Sequence, residues 1–250
     1  MSTYRIENCA GSAESARRAE LGGAYRVELC AGLPEGGTTP SYGEILTARR
    51  AISIKLNVII RPRSGDFLYT PIEVEAMLAD IRMAHELGAD GIVIGCLTAD
   101  GAVDKTLLRR FVEAAEGLPV TFHRAIDVCH DRAQALEDII EAGCARVLTS
   151  GGAASAPEGA DAIAALVKQA AGRIIIMPGA GVTPENVADL ARKTGAREFH
   201  FSGRTAEPSP MRYRHEGVSM GGTVTIDEYA YLFTDPKKIR QAVEALQALE

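Results

Sequence analysis

The chain has 250 residues, 46% of them hydrophobic and 24% charged, with no tryptophan and a formal net charge of -6. That is ordinary globular usage, neither disordered nor fibrous, and the acidic balance leaves no footprint for nucleic acid. No apolar run approaches the roughly 18 residues of a membrane span, the first residues carry no signal-peptide core, and the five cysteines (Cys9, Cys30, Cys96, Cys129 and Cys144) are widely spaced with no C-x-x-C, which excludes a disulfide framework and a preformed structural zinc site.

In chain order, apolar runs alternate with segments of helical periodicity. "YRIENC" at 4–9 reads as a strand and precedes a helical pattern over 12–21; "AYRVELC" at 24–30 precedes one over 41–51. "KLNVII" at 55–60 leads to 70–87, and "GIVIGC" at 91–96 leads to 104–116. "PVTFHRA" at 119–125 leads to 132–142, and "ARVLTS" at 145–150 leads to 157–171. "RIIIMPG" at 173–179 leads to 183–194, and "REFHFSG" at 197–203 comes before a last helix from 236. Thr70-Pro71 and Thr183-Pro184 have the form of an N-cap followed by proline at the first helical position, and glycines such as Gly22, Gly88 and Gly195 stand just past helix ends. Eight βα units without a break in composition predict one domain over 1–250, a closed (β/α)8 TIM barrel. A doubly wound sheet is the alternative, but no G-x-G-x-x-G follows the first strand.

Barrels of this type do their chemistry at the carboxyl ends of the strands, and here those ends are polar. They carry Glu7 with Cys9, Glu28 with Cys30, Arg61 with Arg63, His123 with Asp127, Ser150 with Gly151, Gly179 with Gly181, and His200 with Ser202 and Arg204. Side-chain alternation puts Glu7 with Cys9 and Glu28 with Cys30 on one face, and the inward face is the cheaper place for a carboxylate, since the outer face is sealed under helices. Arg61 and Arg63 are then expected to face Glu7 and Glu28 across the mouth and to offer donors to an anion. A purely stabilising ion cluster is the competing reading. In "MPGAGVTPEN" at 177–186, Gly179 and Gly181 would let backbone N–H groups approach a ligand, with a helix starting at Thr183 behind them; Ser202 and Arg204, together with Ser150 and Gly151, would complete an anion cup.

Two chemistries follow. His123 with Glu7 or Glu28 could serve as acid and base on a small anionic, phosphorylated or sugar-like substrate, with Asp127 and His200 in the same candidate set. Cys9 and Cys30, at equivalent places on adjacent strands, form a two-thiolate pair that suits Cu(I) better than zinc. "MRYRHEGVSMGG" at 211–222 is either a lid over an anion or a solvated loop. No G-x-S-x-G elbow between a strand and a helix is present, since "GVSMG" at 217–221 lies within that loop segment, and H-E-x-x-H does not occur.

Taken together, "IRPRSGDFLYT" at 60–70, "ELGADGIVIGCLTADGAVD" at 86–104, "TFHRAID" at 121–127, "VLTSGG" at 147–152, "IMPGAGV" at 176–182 and "HFSG" at 200–203 resemble the CutC family of copper homeostasis proteins. Ser64, Ala180 and Phe201 depart from the family's usual wording. The resemblance implies a cytoplasmic TIM barrel, usually a homo-oligomer, with a role in copper tolerance and trafficking; no nucleic-acid or membrane partner is expected.

Overall fold

The structure, a computed structural model, describes residues 3–215, 217–218, 220 and 226–250. Strands and helices alternate as the periodicity predicts. β1 (Arg5–Ala10) is followed by α1 (Ala13–Leu21), β2 (Arg26–Leu29) by α2 (Tyr42–Ala51), β3 (Lys55–Ile59) by α3 (Pro71–Glu86), and β4 (Gly91–Ile94) by α4 (Lys105–Ala114). β5 (Val120–Phe122) leads to α5 (Arg132–Glu141), β6 (Arg146–Thr149) to α6 (Ala160–Ala170), and β7 (Ile175–Pro178) to α7 (Val187–Thr194). β8 (Glu198–Phe201) is separated from α8 (Pro236–Gln247) by an antiparallel hairpin of β9 (Arg204–Pro208) and β10 (Ala230–Thr234). The eight long-axis strands pair in parallel in the order β7-β6-β5-β4-β3-β2-β1-β8, and β7 lies beside β8 to bring the sheet round into a TIM barrel.

Local chemistry explains where the helices begin. Ser12, Ser41, Asp104, Asp131 and Asp235 accept a backbone N–H of the first turn, and Thr70 forms a full capping box with Glu73 behind Pro71. Thr183 does not start a helix, contrary to the reading of "VTPEN". Its N–H donates to Asn186 Oδ1 at 2.9 Å and Asn186 Nδ2 donates to the Gly181 carbonyl at 2.8 Å, so a closed turn precedes α7. The hairpin is likewise additional to the eight strands expected. Of the 211–222 segment, residues 216, 219, 221 and 222 lie outside the described residues, while Arg214 folds back to donate to the carbonyls of Ser209 and Tyr229.

Strand alternation divides the barrel into two environments. Ile6, Val27, Leu56, Ile92, Phe122, Val147, Ile176 and Phe199 face outward and pack under the helices as the apolar core. The inward set at the bottom of the barrel is charged. Arg26 donates to Glu7 and, at 2.7 Å, to Glu198; Arg146 donates to Glu198 at 2.6 Å and to Thr121 Oγ1 at 3.3 Å. All five side chains are buried. Register makes this possible, because Glu7 is the Cα partner of Arg26 on one side and of His200 on the other. Charges this deep are tolerated only when paired, and removing one partner leaves the other desolvated and alone.

Arg26→Met should therefore cost about 3 kcal/mol in urea unfolding, since it removes the buried cation shared by Glu7 and Glu198 and leaves them only His200 and Arg146. The pH dependence of stability should carry the same signature. Burial opposes the Glu7 charge, but Arg26 and then His200 outweigh it and hold the carboxyl well below its ordinary value of 4.5. The stability this contributes is present above the unfolded value and lost as pH falls through the folded one. Glu7→Gln should accordingly flatten the acid limb of the stability curve, read as unfolding midpoints across a pH series.

Candidate functional site

A cavity of about 540 Å³ opens at the carboxyl ends of the strands, lined by Cys9, Glu28, Cys30, Arg61, His123, Gly181, His200, Ser202 and Arg204 with the apolar Leu33, Ile59, Phe67 and Leu148. Glu7 and Glu28 point inward with the two cysteines, as alternation requires, Glu7 lying one rung below the cavity. Their counter-ions are not Arg61 and Arg63. β3 ends at Ile59, so the strand's alternation does not reach the two arginines, and each is held locally. The Arg61 guanidinium donates to the carbonyls of Glu35 at 3.1 Å, Gly37 at 3.0 Å and Gly65 at 2.8 Å. Arg63 pairs with Glu73 and Asp66 on the half-exposed rim. The cations that face the carboxylates are Arg26 and His200. Arg26 was legible in "AYRVELC", one inward position below Glu28, and Arg146 and Glu198 occupy the same kind of position in their strands.

The thiols form the next rung. Cys9 Sγ lies 3.9 Å from Cys30 Sγ, and Cys30 Sγ lies 3.3 Å from Glu28 Oε2. His200 holds Glu7 through Nδ1 at 2.8 Å and points Nε2 at Glu28 Oε2, 3.6 Å away. These groups settle one another's protons. Burial opposes a charge on His200, but Glu28, Cys9 and Glu7 prevail and raise its affinity for a proton well above the ordinary imidazole, making it a cation. The hydrogen bond from Cys30, against the cost of burial and with help from His200 and Arg204, brings Cys9 well below the ordinary thiol. Cys30, which gives that hydrogen bond and is itself buried, is pushed up. Burial, reinforced by the neighbouring Cys9 and Glu7 charges and opposed by His200, raises Glu28 to about 8. The shifts run together: they favour a proton on His200 and make Cys9 the more acidic of the two thiols.

This set fits a soft cation. One ligand atom each from Cys9, Glu28 and Cys30 lie within 4.8 Å of one another, the one such three-ligand grouping among the described residues. Two sulfurs 3.9 Å apart could hold one soft ion between them, and Glu28 would supply a third donor. Two thiolates favour Cu(I), and the fourth ligand that structural zinc needs is missing from the grouping.

The other expected residues divide into two groups. Asp127 does not enter the cavity: it accepts from Ser150 N–H at 3.0 Å, Ser150 Oγ at 2.9 Å, Gly152 N–H at 3.1 Å, Arg124 Nε at 2.8 Å and Thr149 Oγ1. Ser150 and Gly151 stay outside with it, the Gly151 N–H going to Thr149 Oγ1 at 2.9 Å. These donors are consumed in fastening the loop after β6 to the loop after β5, leaving none for an anion. Gly179 donates its N–H to the Thr149 carbonyl, and a Cβ there would fall 2.5 Å from Leu148 Cδ1, so close packing alone accounts for that glycine. Gly181, Ser202 and Arg204 do line the cavity, as does His123. His123 Nδ1 accepts the Ala125 N–H at 3.2 Å, which places the ring proton on Nε2. Burial first, and then the Arg61 charge, lower its value to about 3, so the ring is neutral.

The sequence pattern of the CutC family matches residues 4–205. A CutC family protein of Bacteroides thetaiotaomicron is 55% identical over 249 residues, 99% of this chain and 100% of its own length. The human protein named copper homeostasis protein cutC homolog is 48% identical over 237 residues, 95% of this chain and 87% of its own. Among solved structures, CutC of Streptococcus agalactiae superposes with a TM-score of 0.77 at 36% identity, covering 80% of this chain and 98% of its own. With the barrel, the mouth residues and near-full-length identity all in agreement, the chain belongs to the CutC family.

Proposed function

We propose that this protein serves copper homeostasis by carrying Cu(I) as cargo between the thiolates of Cys9 and Cys30 at the barrel mouth. The observation that supports this best is the unbridged pair itself: two sulfurs 3.9 Å apart, one of them held as a thiolate beside His200. The human relative's name supports the physiological role. Cys9 is ready to bind without losing a proton. Cys30 surrenders its proton as the ion arrives, and Glu28, 3.3 Å from Cys30, is placed to take the remaining face of the ion. His200 keeps the local charge near balance, since one imidazolium offsets one thiolate.

A reducing compartment suits five free cysteines, and among the described residues no helix is long and apolar enough to cross a membrane; we place the protein in the cytoplasm. We read it as one barrel domain that works as a homo-oligomer. Exposed Tyr231 and Leu232 on the hairpin, with Met211 and Tyr213 beside it, support the association.

Cys9→Ser with Cys30→Ser should abolish stoichiometric Cu(I) binding, measured in competition with a Cu(I) chelator, because a hydroxyl is a poor ligand for a soft cation. The double variant should keep its fold, read by circular dichroism. Binding should also release protons. Cys30, which is raised, and Glu28, raised to about 8, both give up a proton as they take the ion, so between about one and about two protons should leave per ion near neutral pH, and affinity should climb about tenfold to a hundredfold per pH unit. Calorimetry in buffers of differing ionisation enthalpy measures that number directly.

A further inference from the structure

Copper occupies little of a 540 Å³ cavity, and the wall away from the thiols carries two donors with nothing to donate to. Arg61 Nε–H and His123 Nε2–H are both buried and have no hydrogen-bond partner. Arg61 is 6% exposed and His123 5%, so neither reaches bulk water freely. Native structures rarely leave one such group unanswered, let alone two in one wall. Both sit against the same ring: Phe67 lies 5.2 Å from the Arg61 guanidinium carbon and 4.9 Å from the His123 ring centre.

Neither donor can turn away. The outer nitrogens of Arg61 are tied to three loop carbonyls, which fixes where Nε–H points, and His123 is fixed by the Ala125 N–H on its other nitrogen. Among the described residues no carboxylate pairs with Arg61, so a buried cation is left without a counter-charge. The neutral ring of His123 serves as a donor at any ordinary pH.

We propose that this wall is a binding site for a small organic carboxylate, with its oxygens on Arg61 Nε–H and His123 Nε2–H and its carbon skeleton against Phe67, Leu33, Ile59 and Leu148. Two fixed N–H groups match the two oxygens of a carboxylate. A phosphate asks for more donors than these two, and several of the backbone groups that would supply them in barrel loops are spent here. The N–H groups of Ser150, Gly152 and Gly179 go to Asp127 and the Thr149 carbonyl, and that of Thr183 goes to Asn186. The site shares the cavity with Cys9 and Cys30 but none of their ligand atoms, so it is independent of copper binding.

The test is calorimetric titration of the reduced, metal-free protein with pyruvate, succinate and benzoate, with inorganic phosphate, glycerol 3-phosphate and the neutral pyruvamide as contrasts. At least one carboxylate should bind the wild type, and His123→Phe should weaken it about tenfold or more, the worth of a hydrogen bond to a charged acceptor. The same variant should bind Cu(I) like the wild type. Independently of any variant, the Nε2–H resonance of His123 in ¹⁵N-labelled wild type should shift on adding the carboxylate that binds. The proposal fails if none of the carboxylates binds, which would mean that water alone satisfies the two donors. It fails equally if only the phosphates bind, or if a carboxylate binds without moving the His123 resonance.

Discussion

The pairing of Glu7 with Arg26 inside the barrel is the constraint on which the mouth depends. It keeps Glu7 ionised at full burial, and an ionised Glu7 draws a proton onto His200 through Nδ1. The imidazolium in turn helps keep Cys9 as a thiolate, and the charges of Cys9 and Glu7, added to burial, hold a proton on Glu28. Each protonation state is thus set by a neighbour one rung away, and the series begins with an ion pair that touches no ligand. Buried pairs seldom add net stability over apolar residues of the same volume. What this one secures is the charge state of the sulfur rung.

The barrel reserves its two walls for different chemistry. On the side of β1, β2 and β8 the groups are soft and proton-coupled: two sulfurs, a carboxyl of raised value and an imidazolium. On the other side Arg61 and His123 are hard donors whose orientation is fixed by backbone contacts, with the Phe67 ring packed against both. The division follows from how the two halves are built. Strand residues deliver the first set through regular alternation, whereas the second comes from the segments after β3 and β5, where the backbone has left the sheet.

The glycine-rich loops show why a motif alone does not establish an anion site. "TSGG" and "PGAGV" look like phosphate cradles, yet the N–H groups of Ser150, Gly151, Gly152 and Gly179 are turned into the protein. Asp127 gathers the first loop, and Asn186 closes the second before α7 begins. Both arrangements make loops rigid, which is what two cavity walls of differing character require. Ala180 and Gly181 both take up the left-handed conformation there, with φ of +71° and +68°, the price of a turn that tight.

Much of the architecture was determined by the sequence by itself. Periodicity and caps specified eight βα units, and a period of two specified that Glu7, Cys9, Glu28 and Cys30 share the inner face, because both signals are local and repeat along the chain. Arg26 and Glu198 were present as a pattern, at inward positions one rung below Glu28 and His200, which were already singled out. Only the tertiary structure decided which charges meet. Arg61 and Arg63 lie past the end of β3, where alternation stops, so their partners depend on how the loops fold back; Asp127, adjacent in sequence to the mouth, is drawn away by donors 22 to 25 residues later in the chain. The hairpin after β8, the turn at Thr183 and the two unanswered donors of Arg61 and His123 are of the same kind. The hairpin and the hold on Arg61 depend on contacts between segments distant in sequence, the Thr183 turn and the His123 ring on particular local hydrogen bonds, and no hydrophobic period encodes either.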